Sequence, residues 1–128
     1  MIADDRALTF IAEYFRTLSE PLRLKIVNLL HDRAYSVSEL TQLLGCSQAN
    51  VSKHLGILAR AGLVSRNNQG TSAFYQIADR SIYDLCELVC GRLGQHFARQ
   101  GEAVALFTTP PQKKTASRKV KPRKAPNP

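Results

Sequence analysis

No run of this 128-residue chain stays apolar for the ~18 residues that a membrane-crossing helix requires, so no membrane partner is expected. The opening MIADDRALTF carries two acids and lacks the basic, then apolar, then small-residue order of a secretion signal. A cytoplasmic location is the resulting expectation. Cysteine is scarce and odd in number, with three in all, which excludes a disulfide framework and predicts free thiols. Acidic residues are missing altogether from 40–78, between Glu39 and Asp79. Also absent are a nucleophile, base and orienter set, a phosphate-cradling glycine loop and a paired-carboxylate site, so an enzyme is not expected.

What is present suffices for one domain, since an apolar fraction of 44% supports a single core at this length. The net charge of +8 is unevenly placed. Residues 108–128, TTPPQKKTASRKVKPRKAPNP, hold seven of the 18 basic residues, five of the six prolines and no acid, whereas 1–107 hold 11 basic against ten acidic residues. The expected division is a folded domain over 1–107 and a basic, Pro/Lys-rich disordered tail over 108–128, whose one valine cannot repay the cost of ordering. Such a tail either solubilises the chain or adds a salt-sensitive, nonspecific grip on phosphates.

Helical spacing organises the rest. Ala7, Phe10, Ile11, Tyr14, Phe15 and Leu18 form an apolar face broad enough for two packing partners, a hint of oligomerisation. Ser19, Glu20 and Pro21 start a second helix, buried through Leu22, Ile26, Leu29 and Leu30. Ser36 and Glu39 match a capping box, opening a short helix buried through Val37, Leu40, Leu43 and Leu44 and stopped by Gly45. Ser47 caps a fourth helix with Val51, Leu55 and Leu58 on its stripe, closed by Gly62. LVSRN and TSAFYQI flank a glycine turn, the pattern of a β-hairpin. Asp79 is placed to cap a last helix carrying Ile82, Leu85, Val89 and Leu93. The fold class expected is mostly α with a small β-hairpin wing: four helices, a hairpin and a helix, in winged helix-turn-helix order.

The acid-free window points to DNA, because Lys53, Arg60 and Arg66 lie in it unopposed. On the helix after Ser47, the buried stripe leaves Gln48, Asn50, Ser52, Lys53 and His54 expected to face outward. Short polar side chains at a helix N-terminus suit the major groove, where glutamine and asparagine pair with adenine edges. Lys53 and His54 suit phosphates, which fix register without reading sequence.

LSEPLRLKIVNLL, SELTQLLGCSQANVSKHLGILARAGLV and GTSAFYQI together resemble the ArsR/SmtB family of dimeric bacterial repressors, over about residues 8–95. Within SQANVSKHLGIL the resemblance implies that Ser47, Gln48, Asn50, Ser52 and His54 contact DNA. It further implies a homodimer through the first and last helices, reading an inverted-repeat operator in double-stranded DNA. The wing departs from the family pattern, because RNNQGTS offers Arg66 as its one cation. Two family effector sites lack their ligands here: Ser36 and Ser38 stand where one has thiols, and Ser81, Arg92 and Gln95 accompany Asp79 where the other has zinc ligands.

Cys46, Cys86 and Cys90 remain as effector-sensing candidates. Cys86, Cys90, Leu93 and Phe97 continue an apolar stripe, with Gly91 and Gly94 on the same helix. Three roles stay open: interface packing, coordination of As(III) or a soft metal ion, and oxidation or reaction with reactive sulfur. A disulfide inside the intact helix is disfavoured, because successive turns hold Cβ atoms ~5–6 Å apart where a disulfide needs about 3.5–4.5 Å. The functional expectation is an effector-released repressor; the alternative is a nonspecific architectural DNA-binding protein without an effector.

Overall fold

The computed structural model describes residues 1–100 and 104–107, so the tail expected over 108–128 lies outside the described residues. Two compact units divide at Asp79 and Arg80. The first holds helices α1 (Asp5–Leu18), α2 (Pro21–Leu29), α3 (Val37–Leu44) and α4 (Gln48–Arg60) and strands β1 (Tyr35–Ser36), β2 (Val64–Gln69) and β3 (Ser72–Ile77). In the second are α5 (Ser81–Arg99) and a 3-10 turn at Val104–Phe107. This is the winged helix-turn-helix order expected, with one addition, since β1 pairs antiparallel with β3 and makes the wing a three-stranded sheet of order β1-β3-β2.

Each helix boundary has a local cause. Pro21 occupies the first turn of α2, where a missing N–H costs nothing. At α3 the Ser36 hydroxyl accepts the Glu39 amide while the Glu39 carboxylate accepts the Ser36 amide, completing the capping box. Gly45 ends α3 at φ 65°, a left-handed conformation that favours glycine. The end of α4 is a Schellman motif: Leu63 N–H donates to the Leu58 carbonyl, Gly62 N–H donates to the Ala59 carbonyl, and Gly62 has φ 77°. Leu58 and Leu63, the apolar pair that accompanies such a motif, are both buried.

The core of the first unit gathers Ile26, Val27 and Leu30 from α2, Leu40 from α3, Val51, Leu55 and Leu58 from α4, then Leu63, Val64 and Tyr75. Burial of several fully enclosed aliphatic side chains, each worth about 1.5–3 kcal/mol, fixes α3 and α4 as a rigid pair. Two expectations need correction. Leu43 is 58% exposed, because Val37, Leu40 and Leu44 already fill the narrow buried stripe of α3 and Leu43 points beside it. The N-cap of α5 is Arg80, not Asp79, and makes no side-chain capping bond.

Apolar surface remains uncovered in both units. α1 buries none of its residues, and Phe10 is 71% exposed with Leu8 and Phe15 also exposed. On α5, Ile82 is buried and Leu85 half-buried, but Val89 and Leu93 are exposed along with Leu88. The Phe97 ring stacks on Phe107, with centroids 5.2 Å apart. No helix among the described residues is long and apolar enough to cross a membrane.

Candidate nucleic-acid interface

α3, the turn Gly45–Ser47 and α4 form the helix-turn-helix. Ser47 opens α4, its hydroxyl accepting the Asn50 amide at 3.2 Å. Its O–H hydrogen is left to donate elsewhere. Gln48, Ser52 and Lys53 are exposed and Asn50 is half-exposed, as the stripe of Val51, Leu55 and Leu58 dictates. Gly56 and Ala49 share that outward side, so the helix presents short side chains to whatever approaches it. Orphan N–H groups at its N-terminus add a partial positive charge on the same end.

His54 differs from the outward placement expected of it. It is only 8% exposed, and its Nδ1 lies 3.1 Å from Arg23 Nη1. The physical reason is helical phase: His54 is three residues after Val51 and four before Leu58, both fully buried, so it borders the buried stripe. That spacing was available in the sequence. Arg23, however, lies 31 residues away in α2, and nothing local marks it as a partner. Burial pushes the His54 pKa down, and the charges of Arg23 and Lys53 push it further, against an opposing pull from Glu20.

The wing supplies Arg66, exposed on β2, where Nε donates to Asn68 Oδ1 at 3.1 Å. Both side chains point to one face of the strand. The hairpin turns through Gly70 and Thr71, between the paired Gln69 and Ser72, and Gly70 at φ 62° takes the first central position, as a type II′ turn requires. At the other end of the sheet, Arg33 donates to Glu39 Oε2 at 2.8 Å and stacks over the Tyr35 ring. Burial at Glu39 favours the neutral carboxyl, but the Arg33 hydrogen bond, the Ser36 amide and the Arg33 charge outweigh it and lower the pKa.

The remaining candidates separate. Cys46 lies half-buried in the turn before α4, its thiol directed at the Leu44 carbonyl. Cys86 is half-buried and Cys90 exposed on α5, all three being free thiols. Burial, then the neighbouring Cys90, raises the Cys86 pKa, which keeps that thiol protonated at neutral pH. Ser36, standing where one family site has a thiol, is committed to its capping box. Among the described residues no group of three or more His, Cys, Asp or Glu side chains is placed to hold a metal ion. An open cleft of about 370 Å³ between α1 and the end of α4 is lined by Phe10, Tyr14, Ile57, Glu13 and Arg60, among others, without a catalytic set.

Residues 20–66, the stretch from the start of α2 into the wing, match the model of the bacterial regulatory protein arsR family. Among proteins of known sequence, the uncharacterized HTH-type transcriptional regulator Rv0081 of Mycobacterium tuberculosis is 41% identical over 75 residues, covering 58% of this chain and 66% of that protein. The transcriptional repressor PagR of Bacillus anthracis is 35% identical over 79 residues, 61% of this chain and 79% of PagR. This chain belongs to the arsR family. Among solved structures, the crystal structure of Rv0081 matches with a TM-score of 0.68 at 34% identity, over 73% of this chain and 95% of that one. Mb0332 of Mycobacterium bovis, a homodimeric winged helix-turn-helix DNA-binding domain, matches with a TM-score of 0.64 at 26% identity, over 75% and 93%. The arsR chain is therefore a transcriptional regulator with a winged helix-turn-helix DNA-binding domain, not an enzyme.

Proposed function

We propose that this regulator is a cytoplasmic transcriptional repressor that binds an inverted-repeat operator as a homodimer. Gln48, Asn50 and Ser52 read base edges from the major groove, while Ser47, Lys53 and Arg66 hold phosphates. The observation that carries this reading is the outward face of α4, polar, small and without an acid, on a helix capped at both ends and backed by a rigid core. The exposed apolar faces of α1 and α5 support the dimer, as does the homodimeric state of Mb0332. A two-fold pair would set its reading helices roughly 34 Å apart, one turn of duplex. The name of PagR supports repression rather than activation. The basic tail over 108–128 adds a nonspecific phosphate grip beside a wing with one cation.

The effector acts at the α5 thiols. Cys90 is the exposed member of the pair and Cys86 its half-buried neighbour one turn away, so an oxidant, reactive sulfur or a soft ion would reach the pair through Cys90. A modification that distorts α5 would alter the spacing of the two reading helices. Footprinting on the promoter of the chain's own gene tests the DNA reading: protection of an inverted repeat supports it, and uniform coating supports an architectural protein instead. Operator-release titration with arsenite, cadmium, peroxide and polysulfide, on wild type and on Cys86→Ser/Cys90→Ser, tests the sensor. Release that survives the double substitution assigns the cysteines to packing alone.

A further inference from the structure

Arg23 ties three helices of the first unit together. Its Nε donates to the Thr17 carbonyl at 2.6 Å and its Nη2 to the Arg16 carbonyl at 3.2 Å, both at the end of α1, while Nη1 lies 3.1 Å from His54 Nδ1 on α4. A guanidinium has donors and no acceptor, and it stays charged at any accessible pH. The Arg23 contact therefore requires a lone pair on His54 Nδ1. The imidazole must be neutral, with its one proton on Nε2. An imidazolium would set two N–H groups against each other across the same distance.

The other ring nitrogen is open. His54 keeps 8% of its surface exposed and the Arg23 contact occupies Nδ1, which leaves Nε2 as the ring nitrogen able to meet a ligand. His54 lies one helical turn beyond Asn50 and beside Lys53, at the edge of the outward face of α4.

We propose that Arg23 is a positioning residue of the DNA interface, holding the His54 imidazole in its neutral Nε2–H form so that it meets the duplex as an uncharged hydrogen-bond donor. This rests on the DNA reading given above. It adds that His54 gives direction without charge, unlike Lys53, and that α1 and α2 set its protonation through Arg23. The charged groups around the ring are Arg23 and Glu20 from the α2 side and Lys53 on α4.

Two measurements on the full-length chain test it. In the DNA-free protein, a long-range proton–nitrogen correlation of the histidine rings, with His54 assigned from His54→Gln, reports the tautomer directly. The expected result is Nε2–H throughout about pH 6 to about pH 8 in wild type, and in Arg23→Met a mixed tautomer that takes up its second proton at a higher pH than the wild-type ring does. An Nδ1–H form or an imidazolium in wild type at neutral pH overturns the proposal, whatever the DNA data show. The second measurement uses a labelled duplex selected from a random library by the wild-type chain. Wild-type affinity should be level across that pH range, whereas Arg23→Met should lose about fivefold and acquire a pH dependence that His54→Gln in the same chain abolishes. A level profile in Arg23→Met overturns the positioning role even if the tautomer is right. Failure of the wild type to select any duplex removes the DNA reading itself, and the proposal with it; the tautomer result keeps the two failures distinguishable.

Discussion

The Ser47 hydroxyl accepts the Asn50 amide at 3.2 Å, so an exposed residue proposed to touch DNA is also the cap of α4. Cap and contact can be separated by substitution. Ser47→Ala should lower stability by about 1 kcal/mol in a denaturant melt. Ser47→Asp should keep the melt near wild type, since aspartate caps as well and favours the helix dipole, while weakening DNA binding by charge repulsion. Equal loss of both properties in the two variants would show that Ser47 does not face DNA.

Base reading and phosphate holding predict different salt behaviour. Gln48→Ala or Ser52→Ala should cost about 1–3 kcal/mol on the operator and little on unrelated duplex, leaving the salt slope unchanged. Lys53→Ala should weaken both duplexes and reduce the slope of log affinity against log salt by about 1. If Gln48→Ala and Ser52→Ala bind like wild type, the fold serves protein interaction rather than DNA.

Removing residues 108–128 should flatten that salt slope further while leaving the ranking of operator over unrelated duplex intact. An unchanged slope would exclude the tail from binding.

Acid should destabilise the fold in two stages. His54 and Glu39 both have folded pKa values below their ordinary values of 6.5 and 4.5. Each contributes stability that is present above its ordinary value and lost as pH falls through its lowered folded value, because the unfolded chain then binds the proton more readily. Melting temperature followed downward from neutral should fall first in a step that His54→Gln removes, then in a more acidic step that Glu39→Gln removes. A melt independent of pH down to 4 would contradict both shifts.

Gly62→Ala should destabilise the chain by about 1–2 kcal/mol, since alanine disfavours φ 77°. Gly56→Ala, in ordinary helix with nothing within 4 Å of the added Cβ, should instead stabilise by up to about 1 kcal/mol. Thermal melts of the two variants moving in the same direction would refute this contrast.

The caps were the most legible part of the sequence. Ser36 with Glu39, Ser47, Gly45 and Gly62 each mark a boundary through chemistry confined to a few neighbours, and the structure uses all of them. Periodicity locates the buried stripe of α4 but not its width, and His54 lies at the edge where the width decides its burial. Contacts across long separations left no trace: the Arg23 and His54 pair joins two helices, and β1 is only Tyr35 and Ser36, too short for an alternating pattern. The broad apolar face of α1 was visible as spacing, and its exposure in the single chain agrees with a surface awaiting a partner.

Ser36 belongs to two elements at once, pairing with Phe74 in the sheet and capping α3 through Glu39. The chain therefore has no slack at this point. Residues may be added between α2 and Tyr35 without changing the angle of the hairpin, but a single insertion between Ser36 and Glu39 would shift either the strand register or the start of α3. Among relatives, length variation should collect on the first side of that joint and be missing from the second.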